Sequence, residues 1–230
     1  MLRESLVDSE IVDVRGERFV RGAFDGRSVV LGTVGVGKVN SAMVATLAID
    51  HLEPDLVVFT GVAGAVDPAL EIGDVVIAQW VVQHDAGIVD ADGFHIYQAG
   101  HVPFFNPTDR LGYRPSLEVL ARARSVADHI DLAPVLGRVP RLVIGAVATG
   151  DRFIQSDTER RNLHESLAVH AVEMEGAAVA QVAECLGVDH LVVRAVSDLA
   201  GADAPFDFDR FLADVSVNST RVVRALVAAS

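Results

Sequence analysis

The sequence predicts an α/β fold with a central, mainly parallel sheet flanked by helices, on three observations. Short β-branched runs alternate with segments of helical spacing along most of the chain. One of them, 56–60, is a nearly continuous apolar run, as strands covered on both faces are. Turn residues punctuate them, yet no linker, repeat or low-complexity stretch divides the 230 residues, so one domain is expected over 1–230.

Residues 28–34 (SVVLGTV) form the first such strand, bounded by Gly26 and Gly35, and 40–52 follow with alanines and apolar residues at helical spacing. Residues 56–60 (LVVFT) make a short apolar strand, entered through Pro54-Asp55 and left through Gly61 and Gly64. Residues 75–82 (VVIAQWVV) are another strand. The stretch 84–115, rich in Gly, Pro, Asp and aromatics, reads as a long functional loop. A helix is expected over 116–129, a strand over 142–148, a polar helix over 158–167 and an alanine-rich helix over 175–186, stopped by Gly187. Residues 191–196 (LVVRAV) are the last buried strand, and 208–228 a closing amphipathic helix with Val215, Val222 and Leu226 on one face. Ligands of such sheets bind beyond the carboxyl ends of strands. The informative positions therefore follow Val34, Thr60, Ala148, Val172 and Val196.

Composition narrows the partners. With 19 Lys+Arg against 32 Asp+Glu the net charge is −13, which disfavours any electrostatic grip on nucleic acid or an anionic membrane surface. The single Cys185 cannot close an intramolecular disulfide, and the start Met-Leu-Arg-Glu-Ser-Leu lacks the order of a signal peptide. The longest nearly apolar run, 56–66, is too short to span a bilayer, so a soluble cytoplasmic protein is expected.

Four motifs bear on chemistry, each with a plain structural alternative. The run from Gly32 to Lys38 matches a phosphate-binding loop through its lysine, but Val39 replaces the Ser or Thr that would hold Mg²⁺. The turn could bind an anion or simply reverse the backbone, and Lys38 could be a solvated side chain. Thr60-Gly61-Val62-Ala63-Gly64 offers close backbone approach to a ligand, or only a tight turn. Val172-Glu173-Met174-Glu175 puts two carboxylates at a helix start, where they could accept bonds from vicinal hydroxyls or merely complement the helix dipole. Arg194-Ala195-Val196-Ser197-Asp198 ends a strand with an acid beside a hydroxyl, as a catalytic pair or a loop cap. The eight histidines show no metal-ligand spacing, so neither metal nor other cofactor is expected.

Taken with Ala148-Thr149-Gly150-Asp151-Arg152-Phe153-Ile154, these blocks resemble, in order and over most of the chain, the 5′-methylthioadenosine/S-adenosylhomocysteine nucleosidases of the nucleoside phosphorylase superfamily. The resemblance implies a three-layer phosphorylase-like fold and hydrolysis of an adenine N-glycosidic bond. Asp198 would then protonate N7 of adenine and Ser197 orient it, with Arg194 in a buried polar network near the attacking water. Glu175 would hold the ribose hydroxyls, Met174 lie against the sugar and Glu173 act as a nearby sugar-site acid. Phe153 would stack on the purine, the Ile154 backbone read its edge, Phe208 close over it, and Ala63 and Gly64 line the pocket. The partner implied is a small adenine nucleoside.

Three departures from the family pattern accompany it. Val62 stands where serine is common, and the stretch from His84 to Pro115 is unlike the short family segment around the 5′ pocket. The family also opens with a buried strand and a turn bearing a water-activating glutamate, and the chain is expected to lack that strand. Phosphorolysis and catalytically silent nucleoside binding are the alternatives to hydrolysis. A homodimer is expected from the apolar Val102-Pro103-Phe104-Phe105 segment.

Overall fold

The computed structural model describes residues 2–24 and 26–229, apart from the side chains of residues 205, 206, 208–210, 213 and 214. In chain order the elements are β1 (Val7–Val14), β2 (Glu17–Phe24), β3 (Arg27–Leu31), α1 (Lys38–Leu52), β4 (Leu56–Ala65), β5 (Val75–Gln83), β6 (Gly87–Asp90), β7 (Gly93–Ile96), α2 (Leu117–His129), β8 (Leu142–Thr149), α3 (Asp157–Leu167), β9 (Ala171–Glu173), α4 (Gly176–Cys185), β10 (Asp189–Asp198) and α5 (Ala204–Ala228). The apolar strands pair with one another because burial on both faces leaves their backbone groups no other partners. They close into a barrel of order β10-β4-β9-β8-β5. Pairings β10/β4, β5/β8 and β8/β9 are parallel, whereas β10/β5 and β4/β9 are antiparallel.

Helices cover both faces. Val215, Val222 and Leu226 of α5 pack with Val119 and Ala123 of α2 against Ile77, Leu191 and Val193. On another side Ala177 and Ala180 of α4 meet Val76, Val147, Val192 and Val196. Small residues on α4 let it lie close to the strands, and Ala177, Ala180 and Ala183 are fully buried. Ser116 caps α2 by accepting from the Val119 N–H at 3.2 Å, and Ser156 caps α3 by accepting from Glu159 at 3.3 Å.

The expected strands and helices are present, with four differences. Residues 7–24, for which the sequence offered no pattern, form the β1–β2 hairpin, which turns at Gly16 (φ +91°) and continues into β3 as a separate three-stranded sheet. The 84–115 excursion carries the β6–β7 hairpin. The three-residue β9 is too short to show a pattern of its own. Finally, β4 does not stop at Thr60 but runs on to Ala65, pairing Gly61 with Arg194 and Gly64 with Asp198, so its glycines are strand residues and not a turn.

One opening in this arrangement matters below. Among the described residues β3 pairs only with β2, and the edge of β4 away from β10 is paired only at Gly64 and Ala65. The two free edges face a common cavity.

Candidate active site

A cavity of about 580 Å³ extends from the opening between β3 and β4 to the ends of β9 and β10. Its deep end is built from Ala63 and Gly64 of β4, the 152–154 segment after β8, the 172–175 junction and the last residues of β10. Of the sequence-derived residues, Asp198, Ser197, Arg194, Glu173, Met174, Glu175, Phe153 and Ile154 therefore meet around one space. Phe208 belongs to α5, but its side chain lies outside the described residues.

Asp198 is buried and held on both oxygens. The Ser197 hydroxyl donates to Oδ2 at 2.9 Å, and the Ala200 N–H donates to Oδ1 at 2.8 Å. Burial pushes its carboxyl above the usual range, and the Asp207 charge adds to this, while the two hydrogen bonds pull the other way. Gly64 makes the position possible: a Cβ there would stand 2.7 Å from Asp198 Oδ1 and 3.0 Å from the Ala200 Cβ.

The two glutamates divide their labour. Glu173 caps α4, accepting the Gly176 N–H at 2.8 and 2.9 Å and the Glu175 N–H at 3.0 Å. It also accepts from the Thr149 hydroxyl and pairs with the Arg194 guanidinium, so its oxygens are occupied by the protein itself. Glu175 occupies the N-cap position, yet its side chain makes no cap bond. It reaches instead to the Gly37 N–H at 2.8 Å, with Arg194 Nη2 3.7 Å from its other oxygen. Burial and the adjacent Glu173 raise the Glu175 carboxyl, opposed by Gly37 and Arg194. Arg194 is buried beneath both acids with its guanidinium 4.5 Å from the Phe59 ring centre. A Cβ at Gly61 would collide with that guanidinium.

The phosphate-loop resemblance resolves differently. Gly37 (φ +96°) does turn the chain into α1, but the freed N–H groups are taken by carboxylates of the chain: Gly37 by Glu175, and Lys38 by Asp151 Oδ1 at 2.8 Å. Lys38 Nζ pairs with Asp85 at 2.7 Å. An added phosphate would have to displace these acids. Thr149 and Asp151 fall in the 148–154 block quoted above but were given no role, and Asp85 was not singled out as a site residue, because their partners lie 24 to 113 residues away in sequence. Among the described residues no cluster of three or more His, Cys, Asp or Glu is placed to hold a metal ion.

This is the architecture and site of a nucleoside-cleaving α/β enzyme, and residues 1–228 match the family described as the phosphorylase superfamily. The chain is 44% identical over 232 aligned residues to the 5′-methylthioadenosine/S-adenosylhomocysteine nucleosidase of Mycobacterium bovis, covering 98% of this chain and 91% of that protein. Its fold is similar to the adenine complex of the corresponding Colwellia psychrerythraea nucleosidase, with a TM-score of 0.85 and 32% identity over 99% of this chain and 89% of that one. A futalosine hydrolase mutant of Helicobacter pylori gives 0.84 and 30%, covering 99% and 92%. The chain belongs to the 5′-methylthioadenosine/S-adenosylhomocysteine nucleosidase family, hydrolases that cleave N-glycosidic bonds.

Proposed function

We propose that this chain hydrolyses 5′-substituted adenosines to free adenine, with Asp198 as the general acid at N7 and Glu175 as the ligand of the ribose hydroxyls. The observation that carries this reading is the pairing, on one cavity, of a buried acid held at the end of β10 with a second carboxylate free of capping duty. A free aspartate is protonated only about once in a thousand at pH 7, and a shifted value multiplies the useful fraction tenfold per unit. Burial of Asp198 acts in that direction. Protonating N7 makes adenine a neutral leaving group as C1′ becomes oxocarbenium-like, and the negative Glu175 beneath the sugar favours that charge. Ser197 fixes the carboxyl plane. Phe153, exposed on the cavity wall, supplies an aromatic face for the purine, and Ile154 the adjoining backbone.

The test is release of adenine and reducing sugar from 5′-methylthioadenosine, with and without phosphate. Asp198→Asn should abolish release while changing nucleoside affinity by no more than about tenfold, because an amide still hydrogen-bonds but delivers no proton. Turnover retained in that variant removes Asp198 from the mechanism. A phosphate requirement would mean phosphorolysis.

A further part of the reading concerns assembly. The homodimer is supported by Phe104 and Phe105, which are 80% and 83% exposed. Among the described residues no helix is long and apolar enough to cross a membrane.

A further inference from the structure

The turn before α1 and the residues following β8 and β9 contribute to the cavity lining, and the residues following β5 bond to them from outside it. Polar bonds fix them against each other. Asp85, just after β5, accepts Lys38 Nζ on Oδ1 at 2.7 Å and the Asp151 N–H on Oδ2 at 2.8 Å. Asp151, just after β8, returns a bond by accepting the Lys38 N–H at 2.8 Å, which closes a ring of three contacts. The next donor back along the chain, the Gly37 N–H, holds Glu175 at 2.8 Å. Glu175 thus leans on a peptide whose place is set by the side chain that follows it.

The pair is sheltered, with the Lys38 and Asp85 side chains only 18% and 17% exposed, so water and salt screen it less than a surface pair. Burial works against the Asp85 charge, but the Lys38 and Asp151 bonds more than reverse this and keep it ionised. The turn is also tied by the backbone of α1, the Ser41 N–H donating to the Gly37 carbonyl at 3.2 Å; Gly37 is at φ +96°, and a Cβ there would stand 3.0 Å from Asp151 Oδ1. The Ser41 hydroxyl adds a bond to the Lys38 carbonyl at 3.0 Å and lies 3.4 Å from the Glu175 carbonyl, so it ties the main chains together while leaving the Glu175 carboxylate to the Gly37 N–H.

We infer that the Lys38–Asp85 ion pair is a positioning device for Glu175, setting the Gly37 N–H so that the carboxylate presents its other oxygen, beside Arg194, to the ribose hydroxyls. The inference rests on the proposed role of Glu175 and assigns a task to the lysine of the phosphate-loop-like turn. Neither member of the pair lines the cavity. Its loss should therefore weaken recognition of the sugar and leave recognition of the base.

Calorimetric titration with 5′-methylthioadenosine and with adenine, in the non-hydrolysing Asp198→Asn background, separates the two. Lys38→Met should weaken nucleoside binding about tenfold, the equivalent of one charge-assisted bond misplaced, and adenine binding less than about twofold. Asp85→Asn should repeat the selective loss, since an amide offers one acceptor where two donors need one each. In a Glu175→Gln parent Lys38→Met should have little further effect, because its action passes through Glu175. Equal weakening of nucleoside and adenine, full additivity with Glu175→Gln, or unchanged nucleoside affinity in both variants overturns the inference. If Glu175→Gln by itself leaves nucleoside binding unchanged, the ribose assignment fails instead.

Discussion

Asp198 carries a linkage consequence that can be measured apart from activity. Burial raises its carboxyl above the ordinary aspartate value, so the native state holds the proton more tightly than the unfolded chain does. The stability linked to this group is complete below the ordinary value and is lost as pH rises through the raised one. Asn at this position can still accept the Ala200 N–H and can donate to Ser197 Oγ, while removing the buried charge. Asp198→Asn should therefore melt higher than the parent at pH 8, by about 2–4 °C for each kcal/mol recovered, and the gap should narrow toward pH 4. A variant that melts lower at pH 8 would show the charge to be fully compensated. Asp198 itself was legible in the sequence, because an acid at the end of an apolar strand is where these sheets present chemistry. The division between Glu173 and Glu175 was not. Both sit at a helix start and the dipole argument suits either; what separates them is a Gly37 N–H 138 residues away.

At the level of elements, β4 shows why the glycine motif left two readings open, a close approach to a ligand or a tight turn. Small residues after an apolar run fit a turn or a strand whose neighbours press close, and only the partner strand decides. Here the neighbour is β10, whose Arg194 and Asp198 occupy the space that side chains at Gly61 and Gly64 would need. Gly64→Ala should push the Asp198 carboxyl off its bonds to Ser197 and Ala200, and if Asp198 has the proposed role, a misplaced general acid forfeits part of a contribution of roughly 10²–10⁴ in rate. Steady-state kinetics should show kcat reduced at least about tenfold; an unchanged kcat would mean that the acid tolerates displacement. The β1–β2 hairpin escaped the sequence for the opposite reason. Most of β1 is exposed on both faces, so no alternation of apolar and polar residues marks it.

The molecule as a whole displays two aromatic rings on a turn that is held firmly in place. The Asn106 side chain accepts the Val102 N–H at 2.7 Å and donates to the Gly100 carbonyl at 2.9 Å, while the Phe105 N–H donates to the Val102 carbonyl at 3.0 Å. A rigid turn presenting Phe104 and Phe105 loses little entropy when the rings are covered, which favours association over a floppy segment of the same composition. Val36 and Val39, at the start of α1, add apolar surface that is 71% and 80% exposed. The sequence disclosed the apolar segment but not its rigidity, which depends on the Asn106 bonds. Opposing the contact is a net charge of −13 on each chain. Salt screens that repulsion and leaves apolar burial intact, so dimerisation should strengthen as ionic strength rises toward about 0.15 M, where the screening length falls to about 8 Å. Phe105→Asp adds charge and removes a ring, and sedimentation of the variant at micromolar concentration should give a monomer where the parent gives a dimer. A parent that is monomeric and fully active under those conditions would leave the exposed turn without a role in assembly.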